Sequence, residues 1–158
     1  MARPLTSPWR AIEREPTAAR HHHVLAFQEA LRGRTDEALR ALQVAERLLE
    51  TSGDAGVYRL GYMVAYTYHR LGRPAEARRA FDRFVAPASR TELLPMMWVM
   101  AYLAIGDVDR AYGWAATMKT PPRVPWPTSE LWLVLNPMAD PVLDSPRFLQ
   151  LRRRLGYR

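Results

Sequence analysis

An all-α fold is predicted by three features of the sequence. Apolar residues recur at helical offsets between turn signals, no stretch alternates apolar and polar residues as a half-buried strand would, and turn glycines return at near-regular intervals. The chain has 158 residues, 48% of them apolar, which is the length of one ordinary domain and enough to build a continuous core. It contains no cysteine. Disulfides, thiolate metal sites, iron–sulfur clusters and a cysteine nucleophile are thereby excluded together, and stability has to come from packing.

Residues 1–19 mix Arg3, Arg10, Arg14, Glu13 and Glu15 with Pro4, Pro8 and Pro16. Any apolar run is broken there, so no secretory segment can be drawn and the stretch is expected to be loosely ordered. A helical pattern over 22–31 stops at Gly33, and 36–49 follows with Ala38, Leu42, Ala45 and Leu49 on one face, giving a first helix pair over about 20–50. The pattern over 58–71 stops at Gly72. Pro74 then suits the first turn of a helix carrying Ala77, Phe81 and Phe84, the second pair spanning about 57–86. A third pair, about 92–119, has 93–105 stopping at Gly106 and Asp107 capping a helix with Ala111, Ala115 and Met118. A proline-rich loop fills 120–128, including Trp126. The closing segment, 129–158, holds an apolar helical turn at 130–135 and a last helix. In that helix Ser145 or Asp144 is the N-cap, Pro146 lies in the first turn, Phe148, Leu151 and Leu155 share one face, and Gly156 is the stop. The apolar segment 96–105 ends at Gly106-Asp107, short of the roughly 18 apolar residues of a membrane span. A cytoplasmic location without membrane contact is expected.

Gly33, Gly72 and Gly106 are 39 and 34 residues apart, and Ala38, Ala77 and Ala111 each follow five residues later. A glycine lets the first helix of a pair end in a left-handed cap, and a small residue shortly after lets the second helix approach closely. The segments Gly33-Arg-Thr-Asp-Glu-Ala38, Gly72-Arg-Pro-Ala-Glu-Ala77 and Gly106-Asp-Val-Asp-Arg-Ala111 resemble the helix-turn-helix core of tetratricopeptide repeats. The small residue of the first helix is Ala26 and Ala65 but Val99 in the third unit. The aromatic near its end is Tyr68 and Tyr102, replaced by Glu29 in the first. Asp140-Pro141, Pro146-Arg-Phe148, Leu151, Leu155 and Gly156 resemble the segment closing such arrays in bacterial multidomain regulators that begin with winged-helix, nucleotide-cyclase or kinase domains. The resemblance covers about residues 22–156 and includes no effector domain. It implies a superhelical stack of three helical hairpins ended by a C-terminal capping helix that hides the last repeat's open face.

No chemistry-bearing constellation emerges. His21, His22 and His23, as consecutive helical residues, point about 100° apart and cannot converge on one metal. His69 has no sequence-local partner at ligand spacing. Ser52, Ser89, Ser129 and Ser145 look like loop or cap residues rather than strained nucleophiles, no glycine-rich phosphate loop is present, and Asp36-Glu37 and Asp107/Asp109 lie in first turns, where they complement helix dipoles. Neither catalysis, nor a metal, nor a cofactor is expected.

The family resemblance implies instead a peptide groove lined by the first helix of each unit. By offset from the turn glycines, its inner face carries Arg20, His23 and Phe27, then Arg59, Tyr62, Tyr66, His69 and Arg70, then Leu93, Met96, Met100 and Leu103. Arginines flanking two tyrosines one turn apart suit a peptide offering an apolar side chain and a carboxylate, and methionines add an adaptable floor. The expected peptide-binding residues are Phe27, Arg59, Tyr62, Tyr66, His69, Arg70, Met96 and Met100. The formal charge of +7, with all but one of 23 basic residues arginine, favours an acidic partner, although arginine-rich composition also follows from a GC-rich genome. The alternatives are a nucleic-acid-associated protein using Arg147 and Arg152, Arg153 and Arg154, without a recognition motif to accompany them, and a structural module forming homodimers through Trp126.

Overall fold

The computed structural model describes residues 8–52, 57–89, 93–118 and 140–154. Helix α1 (Pro8–Arg14) precedes α2 (Ala19–Leu31) and α3 (Thr35–Ser52), α4 (Val57–Arg70) and α5 (Pro74–Phe84), α6 (Pro95–Ala104) and α7 (Val108–Thr117). A 3-10 turn (Pro141–Asp144) and a last helix, α8 (Pro146–Arg154), follow, and the described residues contain no strand. The proline-rich loop, the 130–135 turn, Leu155 and Gly156 lie outside the described residues.

The three expected turn glycines all have left-handed backbones, with φ 74° at Gly33, 67° at Gly72 and 76° at Gly106, and no other described residue does. Each stands in the same pair of hydrogen bonds. The glycine N–H donates to the carbonyl three residues back (Ala30, His69, Leu103), and the next N–H to the carbonyl five back (Glu29, Tyr68, Tyr102), at 2.9–3.1 Å throughout. This double bond pattern satisfies carbonyls that a helix end otherwise leaves open. Ala38, Ala77 and Ala111 are fully buried, so each second helix closes on its first where only a methyl group intervenes. Asp107 accepts the Arg110 N–H at 3.0 Å and caps α7 as expected.

Each helix pairs with its successor in the couples α2–α3, α4–α5 and α6–α7, and α4 also packs on α2 and α6. The sequence patterns follow these surroundings. Helix α5 buries only Ala77, Ala80, Phe81 and Phe84. Helix α6 is covered by α4, α5 and α7 and buries residues around its whole circumference, from Met96 to Ala104; a helix enclosed in this way needs no polar face. Its start falls at Pro95 rather than 93, because the residue before a proline is pushed to extended backbone, and Leu94 has ψ 153°. Gly61 brings α4 against α5: a Cβ built there would lie 2.3 Å from the Phe84 Cβ. Residues 1–19 are not loose throughout, since α1 forms within them and lays Ile12 against the core beside α2.

The aromatic position missing from the first unit is filled by Glu29, only 2% exposed, whose carboxylate accepts from Arg32 at 2.7 Å and Arg34 at 3.2 Å. A buried carboxylate is tolerable when it is paired and hydrogen-bonded. Its counterpart Tyr68 donates instead to Glu46 on α3 at 2.6 Å, tying the first pair to the second. Helix α8 presents Phe148 and Leu151, with Leu143 of the 3-10 turn, to Met96 and Val99 of α6, Ala115 of α7 and Met118 at the end of α7. Arg147 fixes it from outside, lying 3.8 Å over the Tyr112 ring and 2.5 Å from Asp109.

Candidate functional site

The pairing of α2 with α4 gathers a row of rings: His23 and Phe27 from α2, then Tyr66 and His69 from α4, with successive centroids 6.5, 6.4 and 5.8 Å apart. Asp140 closes the far end. Its carboxylate lies 3.0 Å from His69 Nε2, accepts from the Tyr66 hydroxyl, and accepts the Val142 N–H at 3.0 Å, capping the 3-10 turn. Arg70 supplies positive charge beside both. Burial alone would raise the Asp140 carboxyl; the His69 and Val142 hydrogen bonds and the charges of His69 and Arg70 outweigh it, and the group is held below the usual carboxylate range. Burial first, and the Asp140 charge second, push the Tyr66 hydroxyl well above its ordinary value. The arrangement is a neutral and cationic donor set wrapped around one carboxylate.

The three consecutive histidines go three ways. His21 turns to Glu15, Nε2 to Oε2 3.3 Å, His22 to the Pro16 carbonyl at 2.8 Å, and His23 inward to Thr67 Oγ1 at 3.3 Å. Thr67 spends its one proton on the Met63 carbonyl at 2.8 Å, so the His23 Nε2 is the donor of that pair, and Nδ1 keeps its lone pair with no partner. Burial lowers the His23 pKa from 6.5 to about 4, against a smaller opposing effect of the Met63 carbonyl. Among the described residues no group of three His, Asp or Glu side chains could hold a metal ion.

Four of the expected groove residues are corrected by their burial. Tyr62, Tyr66, Met96 and Met100 belong to the core. Tyr66 is enclosed by Phe27, His69 and Asp140, and Met96 by the closing segment, through Leu143, Phe148 and Leu151. Leu93 and Leu103 are buried as well, and Arg20 is exposed beside Glu15. What stays at the surface is a partly exposed set of Phe27, His69 and Arg70; the Arg59 side chain lies outside the described residues. The inner-face offset located one row of side chains, but it could not show that packing would take most of them. Asp140 was legible only as part of the Asp140-Pro141 element of the closing segment, and nothing local tied it to His69, 71 residues earlier.

No protein-family model, curated protein or solved structure matches the chain. What the site can do follows from its own geometry. An imidazole backed by a carboxylate could serve as a base, but Asp140 is the polar partner that His69 has among the described residues, and the one hydroxyl in the cluster, Tyr66, is fully buried. Recognition of a carboxylate is the chemistry that the donors are arranged for. A separate open cavity of about 840 Å³ runs between α5 and α7, floored by Phe81, Trp98, Tyr102 and Trp114. Trp98 stacks on Trp114 with centroids 5.5 Å apart and planes at 12°, and Arg110 covers Tyr102. The sequence shows only the one-turn spacing of Trp98 and Tyr102. No described helix is long and apolar enough to cross a membrane.

Proposed function

We propose that the chain is a non-catalytic, tetratricopeptide-like helical repeat module that binds a peptide of a partner protein along the side formed by the first helices of its pairs. The observation that carries this reading is the recurrence: three helix pairs with the same left-handed glycine cap, the same buried alanine five residues on, and first helices in direct contact with one another. A stack built this way superhelically repeats one surface at regular spacing, which suits an extended peptide rather than a small molecule. The accessible part of that surface is apolar at Phe27 and cationic at Arg70, with His69 between, in keeping with an acidic peptide carrying an apolar side chain. The basic alternative is weakened by Arg147, which is committed to Asp109 and Tyr112.

The test is affinity capture from a lysate of the source cells at low and high salt, with wild type beside the Phe27→Ser/Arg70→Ala double variant. Both changes lie at the partly exposed surface, unlike Tyr66→Ala, which would open a core cavity. Retention of a discrete protein at high salt and its loss with the double variant supports the groove. Retention of nucleic acid alone, released by salt and indifferent to the double variant, would overturn it.

A further inference from the structure

The carboxylate bound at the row of rings belongs to the chain itself. Asp140 is 5% exposed, yet it sits at the start of a segment whose other anchors, Leu143, Phe148 and Leu151, lie elsewhere, against α6 and α7. The 3-10 turn needs an oxygen acceptor for the Val142 N–H, which Asn or Ser would supply equally well. It does not need a full negative charge directed at Tyr66, His69 and Arg70. On the other side of the contact, His69 keeps a third of its side chain exposed, and Phe27 beside Tyr66 is partly exposed, so the receptor opens to solvent next to an apolar ring.

Resting on the peptide-binding reading above, we infer that Asp140 is an internal pseudo-ligand: Tyr66, His69 and Arg70 form a receptor for one side-chain carboxylate, and an acidic partner peptide enters by displacing Asp140 while Phe27 receives its neighbouring apolar residue. Asp140 is held in place by the Val142 cap and the anchored segment rather than by a free linker, so it competes at an effective concentration well above that of a flexible tether, and a free carboxylate gains nothing from wild type unless further contacts accompany it. That requirement selects a peptide with an acidic and an apolar residue close together over simple anions. It also makes the closing segment report on occupancy, because displacement frees the acceptor that caps its first turn.

The experiment empties the receptor and refills it. Asp140→Ala, wild type and Asp140→Ala/Arg70→Ala are compared in thermal unfolding with acetate at roughly 50 mM, against acetamide in chloride of equal ionic strength. Expected is a rise of about 2–4 °C with acetate for Asp140→Ala alone, accompanied by perturbation of the His69 ring resonances. Equal shifts in all three proteins, or none in any, would overturn the inference. Should Asp140→Ala fold poorly, Asp140→Asn keeps the cap acceptor without the charge and is read in the same way. In the capture assay above, Asp140→Asn is expected to retain several-fold more partner than wild type. Equal retention sinks the pseudo-ligand while leaving the peptide-binding function standing. Retention by neither sinks that function, and the acetate comparison still decides whether the receptor exists.

Discussion

Lowering the pH from 7.5 to 5 tests the buried imidazole of His23. The side chain is 1% exposed, donates from Nε2 to Thr67 and leaves Nδ1 unpartnered, so a second proton would place an unpaired charge in the core. Its pKa falls from 6.5 to about 4 on folding. Between those values the unfolded chain binds the proton and the folded one does not, so stability is complete above 6.5 and declines as pH falls through the window. The full loss, reached below about 4, is about 3 kcal/mol; at pH 5 it is about 2 kcal/mol, a fall of roughly 4–8 °C in Tm for a chain of this length. Circular dichroism melts of wild type and His23→Gln at both pH values isolate the effect. The more exposed histidines are common to both proteins and cancel, and the glutamine can still reach Thr67. Wild type should lose about 2 kcal/mol more than the variant between pH 7.5 and 5. If both lose the same amount, His23 is not held neutral in the core.

Three further changes probe the frame that holds the site. Gly61→Ala puts a methyl 2.3 Å from the Phe84 Cβ and 3.0 Å from its carbonyl oxygen, and urea unfolding should show a loss of about 1–3 kcal/mol; an unchanged midpoint would mean that α4 and α5 separate at no cost. Gly72→Ala meets no atom within 4 Å, so its cost of about 1–2 kcal/mol is purely conformational. Gly72→Asn should lose clearly less, and equal losses would count against the left-handed cap. Tyr68→Phe removes the 2.6 Å bond to Glu46 and should cost about 1.5–3 kcal/mol, since the acceptor is charged. A double-mutant cycle with Glu46→Gln that shows no coupling would rule that bond out as the tie between the first two pairs.

The frame was legible because it is local. A left-handed residue at a helix end demands glycine, and a close crossing demands a small side chain, so Gly33 with Ala38, Gly72 with Ala77 and Gly106 with Ala111 announce their turns within six residues of sequence. Asp107 announces its cap in the same way. Helix α1 was hidden by the prolines and charges around it, because what holds it is contact with α2 and not its own pattern. The site was half legible. Offsets from the glycines placed Phe27, Tyr66, His69 and Arg70 on one row, but whether a tyrosine in such a row is surface or core depends on what lies across from it, and the group opposite Tyr66 is Asp140. The aromatic floor of Trp98, Tyr102 and Trp114 was passed over for a related reason: aromatic residues at helical spacing usually signal core, as Trp98 does, and only the gap between α5 and α7 leaves Tyr102 and Trp114 partly exposed.

The closing segment serves two purposes that the fold does not allow to be separated by truncation. Its apolar residues cover Met96, Val99, Ala115 and Met118 at the end of the stack, and the same stretch carries Asp140 to α4. Cutting the chain before residue 140 would therefore empty the carboxylate receptor and expose the end of the core together, and an apolar patch left open in that way invites aggregation or self-association. A partner that displaces the whole segment would face that cost. One that displaces only Asp140 would not, because Leu143, Phe148 and Leu151 stay anchored by packing that makes no use of the carboxylate. Point changes at Asp140 and at Phe148 consequently give opposite results: Asp140→Asn opens the receptor on an intact stack, whereas Phe148→Ala should release the last helix and leave apolar surface behind. Hydrogen exchange of α8 distinguishes them, with protection largely kept in the first and lost in the second; loss in both would mean that Asp140 holds the segment rather than the segment holding Asp140.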